Sequence, residues 1–238
     1  MTITVVIPTL NEERMLPFIL RHVAGLGFDE IVVVDGGSTD LSRKVVEDFM
    51  CDERTSVSVD RTALVLVTAP PGRGSQMNAG AAASHSDVLL FLHADTSLPV
   101  DARVAIEQAL RDSGCLAGRF DVRFDTDTLL SRLIGRLMNW RSRWTGIATG
   151  DQAVFVRRTV FERLGGFADI PIMEDIDFSR RLKRLGRIAA LNRSVVTSYR
   201  RWTSGGAVRT IMLMWALRFL YWAGISPHRL HHLYGTIR

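Results

Sequence analysis

The stretch IVVVDGGSTD, residues 31–40, decides the fold because an aliphatic run ends there in a polar turn that contains two glycines. Short runs of this kind are typical of strands buried in a parallel sheet. Three further runs repeat the pattern, so we predict strands at residues 2–7, 30–34, 63–67 and 87–92. Segments long enough for crossover helices lie between them, at residues 12–24, 40–50 and 75–84. The first half of the chain therefore predicts a doubly wound α/β sheet.

The second half is less regular. We predict a helix from residue 99 to about 112, a strand at 115–124, a short strand at 153–156 and a helix at 174–185 that Gly186 stops. A further helix at 127–144 carries large apolar residues on one side: Leu129, Leu130, Leu133, Leu137 and Trp140. Since no repeat, low-complexity tract or linker interrupts the chain, we expect a single domain over residues 1–238.

Composition excludes a disordered or fibrous protein. Of the 238 residues, 47% are hydrophobic and 23% are charged. Thirty Lys and Arg against 25 Asp and Glu give a net charge of +5, which favours anionic partners such as phosphates or an acidic lipid surface. Much of the excess lies between Arg180 and Arg209, where a solvated basic face is the alternative explanation. We expect no nucleic-acid partner, because the sequence holds no recognised nucleic-acid motif.

Cysteine usage and the first residues bear on location. Cys51 and Cys115 are too few for a disulfide framework and have no metal-ligand spacing, which favours a reducing compartment. The start MTITVVIPTLNEE does not have the pattern of a signal peptide. We predict a cytoplasmic protein.

The most apolar window is TIMLMWALRFLYWAGI, residues 210–225. Its sixteen residues include Arg218 and fall short of the roughly 20 apolar residues that a membrane-crossing helix needs. Three interpretations stay open: a buried terminal helix, a homodimer contact, or a peripheral helix that lies in a membrane interface with Arg209 and Arg218 at the headgroups.

Polar residues follow each predicted parallel strand, where the ligand of a doubly wound sheet binds. Taken singly, each has a structural explanation as a helix cap or a turn. Together they place carboxylates and an arginine on one rim, which favours a site. Asp35 suits a base or ribose, Arg73 suits a phosphate, and Asp95 suits Mg²⁺ or Mn²⁺ bridging two phosphates. A nucleotide is therefore the expected ligand.

Five ordered motifs now carry a resemblance: VVIPTLNEE, IVVVDGGSTD, GRGSQMNAGA, LLFLHADT and IMEDIDFSRRLKRLGR, beginning at residues 5, 31, 72, 89 and 172. In order and spacing they resemble the inverting glycosyltransferases of family 2, which have the GT-A fold, a Rossmann-like mixed sheet flanked by helices. LHAD, the GDQA at 150–153 and the C-terminal apolar helix together resemble a small bacterial subgroup, the arsenosugar-biosynthesis or radical-SAM/selenodomain-associated glycosyltransferases. The resemblance implies a nucleotide-binding half over about 1–97, an acceptor half over about 98–205 and a C-terminal helical segment over about 206–238.

The resemblance also implies donor-side roles for a UDP- or GDP-sugar. The residues concerned are Pro8, Thr9 and Glu12 in the nucleoside pocket, Asp35 on the base, Arg73 and Asn78 at the border, and His93, Ala94 and Asp95 at the diphosphate. Asp95 is similar to the last aspartate of the family's DxD metal motif, which implies Mg²⁺ or Mn²⁺ as cofactor. His93 replaces the first aspartate, and it would bind the metal, hydrogen-bond the sugar or only pack.

On the acceptor side, Glu174 and Asp175 resemble the family's ED pair. An inverting transfer needs a base for the attacking hydroxyl, and we predict Asp175 in that role; the alternative is that both acids only favour a helix N-terminus. The acceptor, a hydroxyl compound not identified by the sequence, would meet Gly150, Asp151 and Gln152. Arg201 and Trp202 partly match a basic and aromatic element of processive members, with a basic surface loop as the alternative.

Two other functions remain as alternatives. A sugar-1-phosphate nucleotidyltransferase would carry a glycine-rich loop directly after the first strand, where this chain has PTLNEE. A non-catalytic nucleotide-binding, membrane-docking module would need no base.

Overall fold

The computed structural model describes residues 1–51, 62–200 and 206–237. Within them the strands are β1 (Ile3–Thr9), β2 (Glu30–Asp35), β3 (Ala63–Thr68), β4 (Val88–Phe91), β5 (Thr96–Ser97), β6 (Cys115–Phe124), β7 (Val154–Arg157) and β8 (Arg187–Thr197). The helices are α1 (Leu16–Ala24), α2 (Ser42–Cys51), α3 (Arg73–Ala83), α4 (Ala102–Leu110), α5 (Leu129–Thr145), α6 (Arg158–Arg163), α7 (Glu174–Leu182), α8 (Ala207–Trp222) and α9 (Pro227–Ile237). A short 3-10 helix covers Gly150–Gln152.

These strands form one mixed sheet in the order β3-β2-β1-β4-β7-β6-β8-β5. The strands β3, β2, β1 and β4 are parallel, whereas β7 runs antiparallel to both β4 and β6. The chain proceeds outward from β1 to β3 and then returns to the other side of β1 for β4. This reversal of strand order lies between β1 and β4, and it opens a ligand crevice at their carboxyl ends.

Alternating strand residues bury two apolar layers, one on each face of the sheet. On one face β1 packs against α1 and α4 through Ile19, Leu20 and Ile106. On the other face Val6 and Val34 pack against α3, α6 and α7. Helix α1, for example, buries the side on which Leu16, Ile19, Leu20 and Val23 recur at intervals of three and four. The predicted mixed sheet flanked by helices is confirmed.

The predicted elements differ from the observed ones mainly in the second half. The helix predicted from residue 12 begins at Leu16, and the helix predicted to reach residue 185 ends at Leu182. The long strand β8 was not predicted, because Arg187, Asn192 and Arg193 interrupt its aliphatic residues. Strand β5 and helix α6 were also not predicted.

The apolar C-terminal window at 210–225 lies largely in α8, which begins and ends three residues before the window does. This helix is buried on one side only: Leu217 is inside, whereas Met212, Trp215, Phe219 and Trp222 are exposed. The interpretation of a fully buried terminal helix is therefore wrong. Among the described residues, no helix has both the length and the apolar character to cross a membrane.

Candidate functional site

The carboxyl ends of β1 and β2 are joined by a buried amide. Gln76 on α3 donates hydrogen bonds from its Nε2 to the carbonyl oxygens of Thr9 and Val34, both at 2.8 Å. The amide N–H of Gly36 also donates to the Thr9 carbonyl, at 2.9 Å. Thr9 itself is buried, and Pro8 precedes it on β1. Gln76 thus fixes the rim of the crevice, a role that the sequence analysis missed although the residue lies inside the GRGSQMNAGA motif.

Asp35 ends β2 with its carboxylate inside the turn that follows. The amide N–H groups of Gly37 and Ser38 donate to it at 3.2 and 3.1 Å, and Arg43 lies 3.8 Å from its Oδ2. Because these donors hold a buried carboxylate in one orientation, Asp35 is a preorganised acceptor at the strand end.

Glu12 and Asp95 share one guanidinium. Arg200 Nη2 lies 3.4 Å from Glu12 Oε2 and 3.6 Å from Asp95 Oδ2. Burial raises the pKa of the Glu12 carboxyl, while Arg200 opposes this shift and the charge of Asp95 adds to it. Two carboxylates that repel each other favour a cation between them.

The same pair fits a divalent cation. Within the described residues, no group of three His, Cys, Asp or Glu side chains is arranged to hold a metal. A magnesium-like ion needs fewer protein ligands, since it is commonly bound by one or two carboxylates together with substrate phosphates. The partly exposed carboxylate of Asp95, with Glu12 beside it, meets that requirement.

His93 packs against the turn that carries Gly150 and Asp151. Its Nδ1 lies 3.4 Å from Asp151 Oδ1. A Cβ added at Gly150 would fall 2.4 Å from the His93 ring, so only glycine allows this approach. Ala94 is buried between His93 and Asp95.

Asp175 is held by backbone donors at the start of α7. The N–H of Gly150 donates to its Oδ2 at 3.0 Å, and the N–H of Ile176 donates to its Oδ1 at 2.7 Å. The preceding Met173 has a positive φ of 71°, an uncommon conformation for a side chain of this size. The 3-10 turn and α7 are thereby fixed together through one carboxylate.

Glu174 lies beside Asp175 and is buried. Burial raises the pKa of the Glu174 carboxyl and the neighbouring Asp175 raises it further, whereas Arg73 and His93 oppose the shift. Arg73, at the first position of α3, is thus brought near α7. A small cavity lies here, lined by Met77, Phe91, His93, Gly150, Val154, Phe167, Glu174, Asp175 and Phe178.

Two arginines face this acceptor side although the sequence analysis did not place them there. Arg218 of α8 is attracted by Asp175 and Asp151, and its pKa is lowered by burial. Burial and the nearby charge of Arg218 lower the pKa of Arg141 on α5 to about 10. The Nε and Nη2 atoms of Arg141 are buried without a hydrogen-bond partner among the described residues. One sign of this arrangement is visible in the sequence: Arg218 is a single arginine inside the apolar window at 210–225.

Two of the predicted site residues make hydrogen bonds within the protein. Gln152 is fully buried, and its amide serves the Thr149 N–H and the Phe120 carbonyl, so it supports the turn and does not face an acceptor. Asn78 exchanges two hydrogen bonds with the backbone of Phe167, at 2.9 and 2.8 Å, and thereby positions that segment. A contact of Asn78 with a nucleoside stays a prediction. Arg201 and Trp202 lie outside the described residues.

We predict that Glu174→Gln makes the protein more stable near neutral pH. Since the pKa of Glu174 is raised in the folded state, the native protein binds more protons, and stability falls as pH rises from the ordinary value of 4.5 through the raised one. The variant lacks this loss, so its melting temperature should exceed that of the wild type above the window and approach it below.

The measurement is thermal unfolding across pH, with Glu162→Gln, at an exposed carboxylate, as control. If the melting temperatures of the wild type and Glu174→Gln depended on pH in the same way, the raised pKa of Glu174 would be contradicted.

The chain is similar in sequence to known glycosyltransferases. Residues 4–165 match the family model described as glycosyl transferase family 2. Over 204 residues the chain is 30% identical to a probable glycosyltransferase, YdaM, of Bacillus subtilis; the match covers 77% of this chain and 47% of that protein. Over 172 residues it is 28% identical to an undecaprenyl-phosphate 4-deoxy-4-formamido-L-arabinose transferase of Pseudomonas fluorescens, covering 68% of this chain and 48% of that protein. The chain thus spans about half the length of these relatives.

Among solved structures, the mannosyltransferase PcManGT from Pyrobaculum calidifontis, in complex with GDP-Man and Mn²⁺, matches with a TM-score of 0.65 at 23% identity. The match covers 82% of this chain and 56% of that one. This likeness confirms the predicted GT-A fold.

Proposed function

The chain belongs to glycosyl transferase family 2, and on that premise we propose that it moves a sugar from a nucleoside-diphosphate sugar to an acceptor hydroxyl with inversion at the anomeric carbon. One observation carries the proposal: Asp175 is held by two backbone N–H groups in a cavity wall that also contains His93, next to the strand ends. A fixed carboxylate at this position is suited to accept a proton from an acceptor.

On the donor side, we assign the nucleoside to the ends of β1 and β2. Pro8, Thr9 and Glu12 would line its pocket and Asp35 would accept a hydrogen bond from the base or ribose. Arg73 begins α3 close to the cavity, where its guanidinium would offset phosphate charge. The complex of PcManGT with GDP-Man supports a nucleotide-sugar donor, a GDP- or UDP-sugar.

In the transfer itself, the acceptor oxygen bonds to the anomeric carbon as its proton passes to Asp175. The bond from that carbon to the diphosphate oxygen breaks, and the nucleoside diphosphate leaves with the electron pair. Gly150 N–H keeps Asp175 aimed at the acceptor, and Asp151, paired with His93, is placed to bind a sugar hydroxyl. Arg218 balances the negative charge of Asp151 and Asp175 before a ligand arrives.

A divalent ion, Mg²⁺ or Mn²⁺, would be held by Asp95 with Glu12 beside it. When bound, it would offset the charge on the leaving diphosphate. The presence of Mn²⁺ in the PcManGT complex supports this cofactor.

We propose three finer assignments. We propose membership of the arsenosugar-biosynthesis or radical-SAM/selenodomain-associated subgroup on its LHAD and GDQA motifs. Two free cysteines, exposed Cys51 and buried Cys115, support a cytoplasmic location. We also propose the division into a nucleotide-binding half, an acceptor half and a C-terminal helical segment; the position of β1 to β4 before residue 97 supports the first boundary.

The proposal is tested by thermal unfolding with UDP-, GDP- and dTDP-sugars, with and without Mn²⁺. We expect one nucleotide class to raise the melting temperature by about 5 °C or more at 100 times its dissociation constant. Asp95→Asn should lose the part of the shift that depends on Mn²⁺, whereas Asp112→Asn, at a carboxylate paired with Arg187, should keep it. A protein that no nucleotide sugar stabilises would contradict the proposed donor site.

A further inference from the structure

Two helices carry exposed apolar stripes. On α5 the stripe comprises Leu130, Leu133, Leu137, Trp140 and Trp144, with exposed fractions from 42% to 78%. On α8 it comprises Met212, Trp215, Phe219 and Trp222, with exposed fractions from 63% to 70%. The residues of each stripe recur at intervals of three and four, so each forms a continuous line along its helix. Exposed apolar side chains that lie next to one another, rather than singly, mark an interaction site.

The two helices approach each other at two points, seven residues apart on each helix. Ile134 and Met138 of α5 share a small apolar cluster with Ile211 of α8. Seven residues after Ile134 and Ile211 respectively, Arg141 and Arg218 are close enough for their charges to interact. Because the second point of approach lies later in the sequence on both helices, the two helices run in the same direction.

Both stripes lie on the outer face of this pair. Toward the body of the protein α5 buries Ser131, Gly135 and Ser142, and α8 buries Thr210 and Leu217. At 100° per residue, Leu133 and Leu137 lie on the side of α5 opposite its buried positions. The stripe of α8 likewise lies opposite the buried positions of α8. For two helices that run in parallel, the stripes then form one surface, which we call the α5–α8 face.

The two helices that carry this face are basic. Neither α5 nor α8 contains an acidic residue, and no Asp or Glu follows Asp177, although twelve Lys and Arg do. Arg136 is exposed next to the α5 stripe. A second copy of the chain would present the same positive charge, so pairing two such faces costs repulsion, whereas an anionic surface is complementary.

We propose that the α5–α8 face docks on an anionic membrane surface, with the two apolar stripes at the boundary of the acyl chains and the arginines among the lipid phosphates. Helices with exposed tryptophans, leucines and arginines bind membranes in this way. The same helix α8 carries Arg218, whose charge interacts with those of Asp175 and Asp151, and packs Tyr221 beneath Arg180, 5.5 Å away. Docking therefore brings the acceptor side of the cavity close to the headgroup layer. Membrane binding itself does not rest on the transfer reaction.

The test uses the full chain and vesicles of equal parts phosphatidylglycerol and phosphatidylcholine. Four of the five tryptophans, all except Trp202, lie on the two stripes, so insertion should shift tryptophan emission to shorter wavelength. We expect co-sedimentation with these vesicles, and at least tenfold weaker binding to pure phosphatidylcholine or in about 0.5 M salt, where screening removes the attraction to the headgroups.

Variants locate the contact. Trp215→Gln with Phe219→Gln on α8, or Leu137→Gln with Trp140→Gln on α5, should each weaken vesicle binding at least tenfold without lowering the melting temperature. Phe18→Gln changes a side chain that is 69% exposed on α1, and it should bind as the wild type does. The proposal is overturned if the wild type fails to bind, if Phe18→Gln loses binding equally, or if the stripe variants dissociate a dimer that ignores vesicles.

Discussion

Asp175→Asn is expected to lower the rate of sugar transfer by about 10²- to 10⁴-fold, the range that a positioned general base contributes. The amide has one acceptor oxygen, so it can keep the hydrogen bond from Gly150 or the one from Ile176 but not both, and it cannot take the proton of the acceptor. Because the nucleoside is assigned to other strand ends, the dissociation constant of the donor should change less than about threefold, well under one factor of ten.

Asp177→Asn is the matched control, since it removes an acid from the same helix. Asp177 pairs with Arg181 at 2.7 Å and does not line the cavity. Transfer by this variant should stay close to that of the wild type. If Asp175→Asn remained fully active, Asp175 would be only a helix-terminal acid. If the variant lost donor binding together with transfer, the role of Asp175 would be structural.

Gly150→Ala is expected to be damaging in two ways. Its Cβ would lie 2.4 Å from the His93 ring, so the turn or the imidazole must move, at a cost of about 1 to 3 kcal/mol in the free energy of unfolding. The N–H that positions Asp175 belongs to the same residue. A displacement of about 1 Å there is expected to reduce transfer about 100-fold.

A double-mutant cycle with His93→Ala separates these effects. Removing the ring should restore most of the stability lost in Gly150→Ala, measured by denaturant unfolding, because the clash then has no partner. If stability were not restored, the close approach of His93 to Gly150 would not be the cause of the loss.

The first half of the fold follows from the sequence because its strands are buried on both faces. Continuous aliphatic runs such as IVVVD leave little choice of structure, and the polar residues after them must meet at one edge. For the same reason the sequence predicts that Asp35, Glu12 and Asp95 follow the ends of strands. The resemblance of five motifs added the GT-A fold, which the family match and the structural likeness confirm.

The second half was harder because its elements depend on tertiary contacts. Strand β8 pairs with both β6 and β5, and this pairing overrides the polar residues in its sequence. The apolar side of α5 was visible in the sequence, but a pattern cannot tell whether such a side faces the core; here Ser131 and Gly135 face it. Arg141 and Arg218 reach the site from two helices that only the fold brings together.

The proposed transfer breaks one particular bond of the donor, between the anomeric carbon and the diphosphate, and ³¹P NMR distinguishes that bond from its neighbours. With Mn²⁺ and a stabilising nucleotide sugar, we predict release of the nucleoside diphosphate, slowly to water and faster with an acceptor, and its near absence with Asp175→Asn. Release of sugar 1-phosphate with nucleoside monophosphate would instead show cleavage within the diphosphate. That outcome, or no turnover of any donor, would contradict a glycosyltransferase.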